Sequence, residues 1–303
     1  MMNILYYYLA KLKTYIGEFF ASRKGSASYW TEHMVVNTSF NDVKSSLNHF
    51  NWRNAQYPGY IELMPVVGHD NKVILDYGCG PGNDLIGFSI YSSPSKLIGF
   101  DVSKSALNIA ASRLELHGKK VELVQLNEDK NILPLESESV DLIHSSGVLH
   151  HCKDLDTILG EFYRILKKNG EMQIMVYNYN SLWLHLYTAY IFQIERGIYK
   201  NLDLLEAFKK TTDGPFCPIS WCYKPEVFIA LVENFGFKGE FLGASSSMTE
   251  LKILNRRFDA ISDIRLNEEH RNFLSELVFN EKGMPMYKGN IAGIDACYKF
   301  YKQ

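Results

Sequence analysis

The residues able to do chemistry fall in two short stretches. The first is Asp76-Tyr77-Gly78-Cys79-Gly80-Pro81-Gly82. Glycines at alternate positions remove every second side chain, so the backbone can turn tightly and lie against a ligand. The apolar run Val73-Ile74-Leu75 before it suits a central parallel strand, which sets Asp76 at the strand end. Asp101 ends a second apolar run, 19 residues beyond Gly82. A carboxylate there can accept hydrogen bonds from two ribose hydroxyls. It can equally cap the following helix, a role also open to Ser103. The second stretch is Ser145-Ser146-Gly147-Val148-Leu149-His150-His151, at the mouth of another strand. His150 and His151 are candidate general bases, with helix-start packing as the plainer reading of each. Tyr177 and Asn178 end the next strand near the same point, where they can orient an acceptor or simply line its site.

These groups need a scaffold that brings strand ends together. Strands are expected at 72–76, 97–101, 121–126, 140–144 and 171–177, alternating with helices from 84, at 104–117 and at 156–166. That alternation predicts an α/β fold with a mostly parallel sheet and helices on both faces. Ligands of such sheets lie past the strand carboxyl ends, where all the groups above fall. Helices are expected at 4–20, aromatic and amphipathic, and at 39–49, with a polar-aromatic segment at 28–34 between them. After Tyr177 come helices at 181–196 and 201–210 and a Pro- and Gly-containing loop at 211–223, a place for a pocket wall or lid. A helix at 226–234, a strand at 237–242, helical stretches at 249–258 and 268–279 and a closing strand at 291–301 complete the reading. Tyr29, Trp30, His33, Arg53, Trp183, His185, Tyr187, Asp213, Trp221 and Tyr223 are candidate substrate-pocket residues, with core or loop packing as the alternative for each. Arg53 can receive a carboxylate. Together they favour a small enclosed acceptor over a flat protein-docking face.

Composition narrows the class. Apolar residues are 46% and charged residues 22% of the 303-residue chain, and the formal net charge is -2. This is ordinary for a globular protein and gives no electrostatic reason to expect nucleic acid. Five scattered cysteines, Cys79, Cys152, Cys217, Cys222 and Cys297, do not form a disulfide framework. Cys217 and Cys222 lack a zinc-type partner pair, so no metal is expected. Residues 1–8 lack the pattern of a signal peptide, and no apolar run reaches the ~18 residues of a membrane span. A cytoplasmic protein without stable membrane insertion is the expectation.

The order of the glycines helps to choose among nucleotide-cofactor enzymes. A dinucleotide site uses Gly-x-Gly-x-x-Gly facing a pyrophosphate. Here the run is Asp76-x-Gly78-x-Gly80-x-Gly82. A carboxylate beside the ligand suits the ammonium of a methionine moiety and would repel a diphosphate. With VILDYGCGPG, LIGFDVS, DLIHSSGVLHH and LKKNGEMQI in order, the chain resembles the class I S-adenosylmethionine-dependent methyltransferases, especially the ubiquinone/menaquinone-type and small-molecule group. The likeness covers about residues 70–178 and departs from the usual pattern at Asn169, where proline is common.

The resemblance implies a Rossmann-like class I methyltransferase fold, a seven-stranded mostly parallel sheet with the last strand antiparallel, carrying helical cap additions. It implies a cap at 1–60 and a methyltransferase domain at 61–303, with insertions at about 179–223 and 243–290. Asp76 with Gly78, Cys79, Gly80 and Gly82 would hold the methionine part. Asp101 and Val102 would bind the ribose. Asn127, Asp129 and Lys130 would meet the adenine, and Ser145 and Ser146 would line the methionine side. S-adenosyl-L-methionine would be the donor and S-adenosyl-L-homocysteine the product. The acceptor would be a small molecule, with O, N, S or C as the accepting atom, and the protein a monomer or homodimer. The other classes open to the sequence are a noncatalytic S-adenosylmethionine-binding or scaffold protein and an NAD(P)-dependent oxidoreductase.

Overall fold

The computed structural model describes residues 26–33, 39–127 and 132–303. The expected helix at 4–20 lies outside them. The apolar run before the glycine loop is the central strand β1 (Val73–Tyr77), flanked by β2 (Lys96–Asp101) and β4 (Val140–Ser146). Outside these lie β3 (Glu122–Gln125) on one edge and β5 (Leu166–Asn178), β11 (Asp295–Lys302) and β7 (Phe237–Ser245) on the other. The order β3-β2-β1-β4-β5-β11-β7 is parallel except for β11, which runs antiparallel to both neighbours. A two-residue strand, β6 (Cys222–Tyr223), extends β5 and makes the sheet eight-stranded rather than seven.

The helices follow from their apolar spacing and caps. Before the sheet come α1 (Ser26–Glu32), α2 (Val43–Ala55) and α3 (Tyr60–Leu63). The crossovers are α4 (Asn83–Tyr91), α5 (Lys104–Leu116) and α6 (Leu155–Ile165), and α7 (Leu204–Thr212) and α8 (Pro225–Glu233) follow. In α6, Asp154 caps the first turn, and Ile158, Leu159, Phe162 and Ile165 form one buried stripe against the sheet. Burying a side chain the size of Phe162 stabilises the fold by about 2–3 kcal/mol. Arg113 of α5 is buried, and it ties the helical layer together by donating to Ser46 of α2 and Asn83 of α4.

The additions depart most from expectation. Residues Trp183–Glu195 wind as a π-helix, whose wider turn accommodates a run of large aromatic side chains. The helix expected over 268–279 ends at Ser275 as α11 (Glu268–Ser275), after α9 (Met248–Ile253) and α10 (Arg257–Ser262). Val278–Phe279 forms β8, which joins β9 (Pro285–Tyr287) and β10 (Asn290–Ile291) in a second, antiparallel sheet. β11 therefore begins at Asp295 rather than 291. The break falls at Gly293, whose backbone lies so close to that of Ser245 that any side chain would collide with it.

Glu250 fastens the additions to the main sheet. It is fully buried and accepts from the backbone of Trp183 (2.9 Å), Ser247 (2.7 Å) and Ile294 (3.3 Å) and from the Ser247 hydroxyl. Burial pushes its carboxyl up to about 7 against the pull of these donors. Replacing it with Ala strands several buried N–H groups, each costing roughly 1–3 kcal/mol. Glu250→Ala is expected to lower unfolding stability by about 3 kcal/mol or more, read as a lower urea midpoint at unchanged slope.

Candidate functional site

The glycine loop is held by main-chain bonds. Gly78 and Cys79 donate to the Phe100 carbonyl at 2.7 and 2.9 Å, which pins the loop to the end of β2. Gly78 has φ +77°, and a side chain there would collide with Val148. Gly80 has φ +51° and open space where a Cβ would project. Gly82, also at positive φ, opens α4. Asp101 clamps the loop: one carboxylate oxygen accepts from the Gly80 N–H and the other from the Ser103 N–H, both at 2.8 Å. The cap of the following helix is Ser103, whose hydroxyl accepts from the Ala106 N–H, and Asp101 steadies that cap through the Ser103 backbone. Burial raises its carboxyl despite these donors.

Asp76 stands at the centre of the sheet, in register with Gly99 of β2 and His144 of β4. It is buried, and its Oδ2 has no hydrogen-bond partner among the described residues. Burial pushes its carboxyl up to about 7, with the charges of Asp84 and Asp101 adding to the rise and His144 and Arg53 opposing it. Asp84 has the opposite environment. Burial alone would raise it, but Arg53 and a 3.3 Å bond to His144 hold it well below the usual carboxylate range. The Arg53 guanidinium also lies 5.0 Å from the Tyr60 ring centre, and the Tyr60 hydroxyl meets that of Ser146. The Ser145 hydroxyl donates to the Tyr77 carbonyl at 3.0 Å, bridging the ends of β4 and β1. The loop thus borders a buried carboxylate that makes no ion pair among the described residues, beside open space at Gly80. This fits a group carrying an ammonium and a ribose.

A second cluster forms past β4 and β5. Asp213, following α7, is its hub. Tyr177 donates its hydroxyl to Asp213 Oδ1 and Ser220 donates to Oδ2, both at 2.8 Å. The Tyr29 hydroxyl donates to the Asp213 carbonyl. His151 Nε2 lies 3.6 Å from Oδ1, its Nδ1 2.7 Å from the Ile219 carbonyl, and its ring 4.6 Å from that of Trp30. The Trp221 N–H donates to the His150 carbonyl, which stitches the 213–221 loop to the 3-10 turn Leu149–His151. His150 is buried with both ring nitrogens unpartnered among the described residues, and its ring lies 3.8 Å from that of Tyr177. Burial, and then the neighbouring His151, hold His150 well below the ordinary histidine range. Burial also lowers His151, against the pull of Asp213. Burial and the Asp213 charge raise the Tyr177 phenol well above its usual range. Tyr177 is therefore a hydrogen-bond donor here and not a base.

Other expected site residues go elsewhere. Arg53 is not free for a substrate carboxylate, because it is paired with Asp84 on the glycine-loop side. Asn178 is spent internally, donating to Gly293 and Asn180 carbonyls at 2.9 and 3.1 Å. His185 is buried against Phe273 with its Nδ1 2.8 Å from that of His270, and Trp183 and Tyr187 pack on each other, so all three serve the core of the additions. Tyr223 lies against Phe228, and Trp221 is 51% exposed. His33 meets the second cluster at Tyr29, on which its ring stacks and whose carbonyl lies 3.1 Å from its Nδ1. Cys79 contributes backbone to the loop while its thiol is buried, and the Val102 carbonyl accepts from Gln125. Asn127 is exposed just after β3. Asp129 and Lys130 lie outside the described residues.

The strand order, the antiparallel β11 and the ligand-facing loop define the Rossmann-like class I methyltransferase fold. Residues 68–202 match the family described as "Methyltransferase domain". The chain is 37% identical over 101 residues to the demethylmenaquinone methyltransferase of Lactococcus lactis, covering 33% of this chain and 39% of that protein. It is 29% identical over 126 residues to the arsenite methyltransferase of Aquipseudomonas alcaligenes, covering 39% and 36%. The chain spans only about a third to a half of the length of such curated relatives. Among solved structures, the YcgJ protein of Bacillus subtilis superposes with a TM-score of 0.51 at 17% identity, covering 80% of this chain and 97% of that one. At that identity the likeness is one of fold.

Sequence reasoning missed Tyr60, Asp84 and Ser220. The acid two residues after the last glycine was the available signal for Asp84. The raised Asp76 carboxyl has a sign that can be worked out. Between about pH 4 and 7 the folded chain binds more protons at Asp76 than the unfolded chain does, so stability falls as pH rises through that window. Asp76→Asn removes this contribution while the other raised carboxyls, Glu250 and Asp295, stay in place. The variant is expected to gain stability relative to wild type from pH 4 to pH 8, by on the order of 2 kcal/mol, measured by urea unfolding across that range.

Proposed function

We propose that this chain transfers the methyl group of S-adenosyl-L-methionine to a small-molecule acceptor and releases S-adenosyl-L-homocysteine. The observation carrying this reading is the cationless Asp76 carboxylate beneath a glycine loop that Asp101 clamps. When bound, S-adenosylmethionine supplies a methyl group already activated on a sulfonium. The chain's work is then to hold the donor, align a nucleophile and exclude water.

Asp76 receives the amino group of the methionine part, and Asp101 the ribose hydroxyls. Ser145, Ser146 and Gly147 line the methionine side, and Asn127 with the neighbouring Asp129 and Lys130 take the adenine. The acceptor lies past β4 and β5, walled by Tyr29, Trp30, Tyr177 and His151. These aromatic faces suit a small, flat, ring-bearing acceptor. The demethylmenaquinone methyltransferases among the relatives support such an acceptor. His150 takes the acceptor proton where the nucleophile is a hydroxyl. It is buried, held neutral by that burial, and has no ring partner among the described residues, whereas His151 and Tyr177 are held by Ile219 and Asp213. The net charge of -2 supports a small molecule over nucleic acid. No helix among the described residues is long and apolar enough to cross a membrane. The reading goes with a cytoplasmic enzyme, monomeric or homodimeric. An NAD(P) enzyme is disfavoured by Asp76, which would face a diphosphate.

Calorimetry is expected to show saturable binding of S-adenosylhomocysteine below millimolar concentration. Asp76→Asn should weaken it about 10- to 100-fold, the worth of one charge-assisted bond. Wild-type affinity should fall up to about tenfold per pH unit below pH 7, because Asp76 must lose its proton to hold an ammonium. Absence of any heat from well-folded protein would overturn the proposal. In turnover assays on a hydroxyl acceptor, His150→Phe should lower kcat by about 10²- to 10⁴-fold while leaving S-adenosylhomocysteine affinity within about twofold.

A further inference from the structure

His151, Asp213 and Cys217 come from two segments whose sequence spacing suggests no metal set, yet one ligand atom from each lies within 4.8 Å of the others. The state of His151 gives this grouping a meaning. A carbonyl oxygen only accepts, so the 2.7 Å contact with Ile219 fixes a proton on Nδ1. The neutral ring then presents a lone pair at Nε2, 3.6 Å from Oδ1 of Asp213. Lone pairs of a nitrogen and a carboxylate oxygen then face each other across a gap, an arrangement that a cation between them relieves.

We propose that the gap is a binding site for one divalent ion of the zinc class, held by His151 Nε2, Asp213 Oδ1 and Cys217 Sγ. The donor set of nitrogen, oxygen and sulfur suits zinc better than magnesium or calcium, which take oxygen alone. Bond lengths of about 2.0–2.3 Å require ligand atoms roughly 3.3–3.8 Å apart in a tetrahedron. The His151–Asp213 pair already meets this, and the remaining spacings close with side-chain movements of about an ångström. Outer bonds orient the ligands as metal sites require. Ile219 fixes the tautomer of His151, and Tyr177 and Ser220 hold the Asp213 carboxylate from both sides. Oδ1 has a second lone pair free of the Tyr177 bond. Cys217 is buried, its thiol now directed at the Ile219 carbonyl 3.2 Å away. Binding converts the thiol to thiolate and releases its proton to solvent.

Three protein ligands leave a fourth position open, the pattern of catalytic rather than structural zinc. Tyr29 and Trp30 cover this cluster. The ion's binding depends on the three ligands alone. Its use, to receive an acceptor oxygen or sulfur at the fourth position, rests on the methyl-transfer reading. The competing occupant of the gap is a proton on Nε2, which would make a plain imidazolium–carboxylate pair.

The test uses the full chain, stripped with a chelator and titrated with zinc and with cobalt(II), without any methyl donor. One ion per chain is expected, with a thiolate-to-cobalt charge-transfer absorption. Cys217→Ser should abolish that absorption and weaken binding at least tenfold, while Cys222→Ser, which alters a thiol outside the cluster, should change neither. X-ray absorption on the zinc-loaded wild-type protein should show one sulfur at about 2.3 Å, which keeps the proposal testable if Cys217→Ser does not fold. No saturable binding, a band that survives Cys217→Ser in folded protein, or a coordination shell without sulfur would overturn it and leave the proton as occupant. These readings do not involve S-adenosylhomocysteine, so failure here and failure of the donor site are separately visible.

Discussion

The arrangement of this molecule turns on a carboxylate left without a cation. Asp76 is buried near the carboxyl end of β1, an interior strand of the sheet, where a charge costs several kcal/mol to desolvate. The chain does not neutralise it directly. Arg53 is paired with Asp84 instead, and His144, whose charge opposes the rise at Asp76, bonds to Asp84 as well. Asp84 is thereby kept ionised, and Asp76 is kept close to its proton. A cationic ligand amine entering beside the glycine loop would replace that proton.

The rest of the fold positions this one group. Parallel strands bring Asp76, Asp101 and the Ser145–Ser146 end of β4 to a common edge, and Gly99 lets Leu85, Cys79 and Leu123 pack closely on the neighbouring strand. The additions close the far side of that edge. Glu250 is the counterpart of Asp76 within them. It is also buried and raised, but it is saturated with backbone donors, so it locks a junction rather than waiting for a partner. The same residue chemistry gives a fastener in one place and, on the proposed reading, a receptor in the other. The difference is the number of N–H groups the backbone supplies.

What could be read in the sequence was what is local. The strand–loop–helix around Asp76 and the strand end at Asp101 follow from a few consecutive residues, and they appear in the structure where their spacing puts them. The order of the core strands was legible for the same reason, through alternation of short apolar runs with helices. Tyr29, Trp30, His151, Tyr177 and Asp213 were all visible as polar or aromatic candidates, but their meeting at one hub depends on how α1 and the 213–221 loop fold back. No local pattern encodes that. His185 and Tyr187 show the converse. An apolar helix carrying aromatic residues looks the same whether it lines a pocket or fills a second core, and here it fills the core. Arg53 and Asp84 form a pair across 31 residues, and neither charge alone announced the other.

A crystal structure of the chain with S-adenosylhomocysteine addresses the central claim most directly. The account predicts the ligand's amino nitrogen at hydrogen-bonding distance, about 2.7–3.2 Å, from the Asp76 carboxylate, with both ribose hydroxyls on Asp101. A ligand bound with its amino group turned away from Asp76, or seated elsewhere on the sheet, would contradict it.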